Sequence, residues 1–225
     1  MKKTATVGIA FLLLSLLPFR AEGAKLKIVT TTPDFAAVAR EIGGDRVEVS
    51  SLTKGVQDPH FVDAKPSFIR LLNQADLLID GGIDLEVGWL PPLLEGARNG
   101  KIQTGGPGRI VASTGVNILQ LPTGAVERSQ GDVHPLGNPH YMLDPENGKI
   151  VAGEIAAALC RLDGRSCDSY RKNQAAFDRR LDQKMAEWTQ AMAPYRGAKI
   201  ITYHDSWPYF AGRFGLKVVG QIEPK

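Results

Sequence analysis

Four histidines, His60, His134, His140 and His204, are the residues of this chain best suited to chemistry. His60 closes Gln57-Asp-Pro-His60, and His204 lies in Tyr203-His-Asp205. His134 and His140 share the turn-rich stretch Gly131-Asp-Val-His-Pro-Leu-Gly-Asn-Pro-His-Tyr-Met-Leu-Asp144. Each stretch places an imidazole at an element boundary beside a carboxylate, often with a proline. Histidine is the commonest metal ligand among side chains, binding through a neutral ring nitrogen. A tetrahedral site needs such nitrogens held in orientation by outer acceptors. His60, His140 and His204 each have an aspartate within four positions: Asp58 and Asp63, Asp144, and Asp205. These three histidines are therefore the expected ligands, with zinc ahead of manganese as the ion. His134 is assigned instead to a hinge or lid.

Three histidines and an open fourth position also describe a catalytic zinc site. An exported zinc-dependent hydrolase is thus the alternative reading, with Asp205 or Glu223 as conceivable bases. Against it, the chain has no His-Glu-x-x-His and no Gly-x-Ser-x-Gly. Gly105-Gly-Pro-Gly108 lacks the Lys-Ser/Thr of a phosphate loop. A metal-independent structural or adhesive domain is the remaining alternative. On balance the chain is read as a carrier, not an enzyme.

The elements that must position these histidines follow from periodicity and punctuation. Lys25–Thr32, Val47–Leu52 and Ala75–Asp80 read as strands, and Arg109–Ala112 and Asn117–Leu119 as shorter ones. Helices are expected from Thr32-Pro33-Asp34 to Gly43, from Pro66, and from Leu85 to Ala97 with an interruption at Pro91-Pro92. Asp144-Pro145 should open another, ending near Leu162. From Asp168 to about Ala193, Tyr170, Phe177, Leu181, Met185, Trp188 and Met192 form one helical stripe. Such a helix could serve as a brace between lobes or as an ordinary core helix. Ala198–Tyr203 is a strand delivering His204 at its carboxyl end, where ligands of open α/β sheets bind. A short helix over Tyr209–Phe214 and a strand over Leu216–Ile222 follow. Strands alternating with helices indicate α/β units around a mainly parallel sheet.

Composition bounds the remainder. The chain has 225 residues, 43% hydrophobic and 23% charged, ordinary for a globular protein. Lys2 and Lys3 followed by the apolar run Val7–Leu17 and then Ala21, Gly23 and Ala24 have the layout of a secretory signal peptide. Setting aside the charged residues of that leader leaves 24 basic and 23 acidic residues, a net of +1. That balance excludes the basic stripe of a nucleic-acid binder. The exported chain should be periplasmic and, with no cysteine near the cut, without a lipid anchor. Cys160 and Cys167 flank Leu162-Asp-Gly-Arg165 and should pair in an oxidising compartment, two free thiols being the other possibility.

Together these segments resemble the metal-binding solute-binding proteins of bacterial ABC importers, the zinc and manganese uptake group. The resemblance rests on Ile28-Val-Thr-Thr-Thr-Pro, on Asp58-Pro-His60 with Lys65-Pro-Ser67, and on Ala75-Asp-Leu-Leu78. Asn138-Pro-His-Tyr-Met-Leu-Asp-Pro145, Tyr203-His-Asp-Ser206 and Gly220-Gln-Ile-Glu-Pro224 complete it. It implies an α/β fold of two Rossmann-like lobes bridged by one long helix, with the metal in the cleft between them. Its ligands match His60, His140 and His204, and a histidine at the third position favours zinc, since manganese-type members tend to have glutamate there. Mapped on this chain, residues 1–23 are the signal peptide, 24–165 the N-terminal metal-binding lobe, 166–194 the linking helix and 195–225 a partial C-terminal lobe. Relatives continue past Glu-Pro-Lys225, and any fourth ligand is expected in that continuation. The long histidine-rich loop common in the family is reduced here to Pro122–Asp132. The implied partners are a divalent metal ion and an ABC permease, with the carrier acting as a monomer.

Overall fold

The computed structural model describes residues 24–124 and 134–223. The leader and residues 125–133 of the long loop lie outside that range.

The first half of the chain builds a four-stranded parallel sheet in the order β2-β1-β3-β4: β1 Leu26–Thr30, β2 Val47–Ser51, β3 Leu77–Asp80 and β4 Arg109–Val111. Neighbouring residues of these strands point to opposite faces, and both faces are covered, as parallel sheets require. Ile28, Leu77, Ile79 and Ile110 face a core completed by α1 (Pro33–Gly43) and α4 (Asn147–Leu162). Val29 and Leu78 face the other core, under α2 (Pro66–Gln74) and α3 (Leu90–Ala97). Continuous apolar strands such as Leu77-Leu-Ile79 are the direct consequence.

Proline placement sets the helix starts. Pro33 and Pro66 occupy first-turn positions, where the missing N–H has no partner to lose. The same rule corrects one expectation. Pro91 and Pro92 do not interrupt a helix; they begin α3, and turns bonded Leu85 N to Gly82 O and Trp89 N to Glu86 O precede it. Asn117–Leu119 is not a strand either. Leu119 spends its backbone groups elsewhere, its N–H on the Tyr209 hydroxyl (3.0 Å) and its carbonyl on Asn138 N (2.9 Å). The helix expected to open at Asp144-Pro145 starts at Asn147, after a tight 3-10 turn over Tyr141–Leu143.

The long helix, α5, runs Cys167–Met192, 26 residues, or about 39 Å at ~1.5 Å per residue. Its first turns pack on α1 and α4, with Tyr170 fully buried and Asn173 Nδ2 donating to Ile42 O at 2.9 Å. Toward its end the stripe surfaces, and Trp188 is 40% exposed. Cys160 and Cys167 are joined by a disulfide that staples the end of α4 to the start of α5. Closing so short a loop contributes on the order of 2–3 kcal/mol through the unfolded chain.

Beyond α5, β5 (Lys199–Thr202), α6 (Pro208–Phe214) and β6 (Lys217–Gln221) form a second α/β unit with a two-stranded parallel sheet. α6 ties this unit to the first. Tyr209 enters the α1/α4 core, and the Arg213 guanidinium grips the Asp144 carboxylate through Nε and Nη2, both at 2.7 Å. Among the described residues no helix is long and apolar enough to cross a membrane.

Candidate metal centre

His60, His140 and His204 are each held by hydrogen bonds. His60 lies in the loop after β2, where Asp58 folds back on it: Asp58 Oδ1 accepts from His60 N (2.9 Å) and from His60 Nδ1 (2.7 Å). The loop is pinned from below by Trp89, a buried core residue whose indole N–H donates to Pro59 O at 2.8 Å. The side-chain and backbone bonds to His60 hold the Asp58 carboxyl below the usual carboxylate range, although its partial burial pulls the other way.

His140 precedes the 3-10 turn that begins with Tyr141. That tyrosine is wholly buried, stacks on Phe35, and donates its hydroxyl to Gly81 O at 2.9 Å. Asn147 Nδ2 holds the Tyr141 carbonyl at 2.8 Å. The crevice at the carboxyl ends of β1 and β3, where open α/β sheets often bind ligands, is thus filled by the chain itself. Its other occupant is Glu86, which accepts from Thr31 Oγ1 (2.6 Å) and Gly81 N (2.8 Å); burial pushes this carboxyl up to about 7. The site for an exogenous ligand is consequently displaced outward, toward the second α/β unit.

From that unit comes His204, two residues past the end of β5. Its Nδ1 lies 2.5 Å from Glu223 Oε2. Register explains the pairing. Thr202 sits opposite Gln221 in the parallel pair, so His204 and Glu223 leave their strands at the same level.

The structure brings His60, His140 and His204 together, and it adds His134. One nitrogen of each of the four lies within 4.8 Å of those of the others. His60 Nε2 and His134 Nε2 are 3.2 Å apart, as are His204 Nε2 and His140 Nε2. A zinc–nitrogen bond of ~2.0–2.1 Å in a tetrahedron gives nitrogens roughly 3.3–3.4 Å apart. Two of the pairs thus already stand near ligating distance. With Nδ1–H of His60 and His204 committed to carboxylates, Nε2 of each presents its lone pair inward, the arrangement in which an outer carboxylate fixes the tautomer of a ligand. Burial, and then the neighbouring His60, His204 and His134, push the His140 imidazole down to about 3, so it stays neutral. Two carboxylate side chains, Asp58 and Glu223, stand behind the group at His60 and His204.

Two expectations about these residues are corrected. His134, read from sequence as a hinge or lid residue, stands beside His60, Nε2 to Nε2 at 3.2 Å, in a turn closed by Gly137 N to His134 O (3.1 Å). The aspartates nearest in sequence are not all imidazole partners either. Asp144 serves Arg213, and Asp205 accepts from Gln221 Nε2 at 2.9 Å. Glu223, 19 residues from His204, holds that ring instead.

The family described as ZnuA, zinc-uptake complex component A, periplasmic, matches residues 28–225, and the chain belongs to it. It is 33% identical over 197 residues to the manganese ABC transporter substrate-binding lipoprotein PsaA of Streptococcus pneumoniae, covering 85% of this chain and 60% of that protein. The iron ABC transporter substrate-binding lipoprotein MtsA of Streptococcus pyogenes serotype M1 is 29% identical over 202 residues, covering 87% of this chain and 61% of that one. Among solved structures, a crystal structure of ZnuA superposes with a TM-score of 0.74 at 30% identity, covering 89% of this chain and 73% of that chain. The chain therefore spans about three-fifths of the length of these two curated relatives. The fold is the α/β architecture of ZnuA-type two-lobe binding proteins, with the second lobe incomplete, the match covering 73% of the ZnuA chain. These relatives are substrate-binding proteins and not enzymes, and the hydrolase reading gains no support from them. Both curated relatives are named lipoproteins, so the expectation of an unanchored chain is unsupported.

Proposed function

We propose that this protein captures a divalent metal ion, zinc in preference to manganese or iron, outside the cytoplasmic membrane and hands it to the permease of an ABC importer. His60, His134, His140 and His204 are the ligands in this reading. Residues 24–165 form the lobe that carries three of them. Residues 166–194 brace it, and 195–225 bring His204 across the cleft as a single-copy carrier closes on its ion.

One observation carries the choice of metal. Among the described residues the converging donors are all imidazole nitrogens, with no carboxylate in the group. Manganese prefers oxygen donors and lies at the weak end of the divalent affinity order, whereas imidazole in a tetrahedral set suits zinc. The relatives named for manganese and iron support metal carriage as such. The donor set of this chain supports zinc within it.

The test is a competition titration of the purified chain with zinc, manganese and ferrous ion against a chromogenic chelator. One zinc per chain is expected, with neither manganese nor ferrous ion displacing it at large excess. Tighter binding of either competitor would refute the zinc assignment.

A further inference from the structure

Asn138 lies at the junction of three chain segments. It is 5% exposed, and every polar group it has is engaged. Its Nδ2 donates to Asp205 O (2.6 Å) and to Gln120 Oε1 (2.7 Å), while Oδ1 accepts from His140 N (2.9 Å). Its own N–H donates to Leu119 O at 2.9 Å, and its carbonyl accepts from the buried Tyr209 hydroxyl at 2.8 Å. Only this orientation of the amide satisfies both acceptors and the one donor around it.

The partners matter because of what they adjoin. Asp205 is the residue after His204, and the His140 N–H belongs to the other histidine of the 3.2 Å pair. A single side chain therefore spans from the backbone of one imidazole's segment to the backbone of the other's. A shift of either segment would leave buried polar groups unpaired, which is unfavourable once they are out of water.

We propose that Asn138 is a positioning residue for the metal site: it sets the separation of His140 and His204 across the two α/β units. This rests on the reading of the four histidines as a metal site. The bond to Gln120, which leads away from the histidines, plays no part in it.

The test combines zinc titration with imidazole NMR of the metal-free chain. Asn138→Ala should weaken zinc binding roughly 10–100-fold, the range for losing a group that orients a ligand. In a His204→Ala background the same substitution should cost less than about threefold, because the imidazole it acts through is gone. Gln120→Ala should stay within about threefold of wild type. In the metal-free chain, Asn138→Ala should move the ring signals of His140 and His204 while those of His60 hold still. Equal losses with and without His204, an equal loss in Gln120→Ala, or unmoved His140 and His204 signals would each overturn the proposal. Should Asn138→Ala not fold, the near-isosteric Asn138→Asp keeps the acceptor for His140 N and loses the donor to Asp205 O, and the same outcomes apply. A wild-type chain that binds no zinc refutes the metal-site reading, while the NMR arm still decides the role of Asn138.

Discussion

Replacing His140 with alanine lowers zinc affinity by more than about 100-fold, because losing a ligand exceeds the ~10–100-fold cost of losing a group that merely orients one. His140 adjoins all three other rings, with centroids 5.1 Å from both His60 and His204 and 6.2 Å from His134. The fold should survive, since the bonds that shape this segment are to the His140 backbone: its N–H to Asn138 Oδ1 and its carbonyl from Leu143 N. Chelator competition would show the loss, and an unchanged far-ultraviolet spectrum would show that it is local. His134→Ala makes the useful contrast. The His134 ring lies farther from His140 (6.2 Å between centroids) than those of His60 and His204 do (5.1 Å each), and the closer three with a water can still hold zinc, so the loss should be clearly smaller. Equal losses at the two positions would contradict the geometry described here.

Zinc affinity falls on the order of a thousandfold or more between about pH 7.5 and pH 5, where imidazoles ordinarily titrate. The sign follows from the ligating form. Zinc takes neutral imidazole, so protons compete as pH falls and are released as metal binds. His140 does not join this competition, for burial among the other rings already pushes it down to about 3. The slope of log affinity against pH should therefore reflect fewer protons than there are histidines in the group. Asp58 works in the same direction as zinc: held below the usual carboxylate range, it stays ionised behind His60 across this span. Titrations at several pH values would measure the slope, and a flat profile would rule out histidine ligation.

Much of this arrangement is legible in the chain itself. Leu77-Leu-Ile79 announces a strand buried on both faces, Pro33 and Pro66 announce helix starts, and the Tyr170–Met192 stripe announces α5. His60, His140 and His204 stand out because each sits at the end of an element beside turn residues. What cannot be read from one dimension is who faces whom. Asp144 looks like a partner for His140 because it is close in sequence, yet α6 brings Arg213 to it from 69 residues away. Glu223 is invisible as a partner of His204 until the register of β5 and β6 is known. The place of His134 is hidden for the same reason: six residues from His140, it reads as part of a lid, while in the structure its Nε2 lies 3.2 Å from that of His60. The prolines at 91 and 92 mislead locally, since a proline pair marks a helix start or a break with equal force.

The four imidazoles should form a nitrogen-only site. X-ray absorption at the zinc edge of the loaded protein tests it most directly. A single shell of four nitrogens at ~2.0 Å, with the outer-ring scattering of imidazole, is expected. A shell of five or six donors, or one containing carboxylate oxygen, would contradict it.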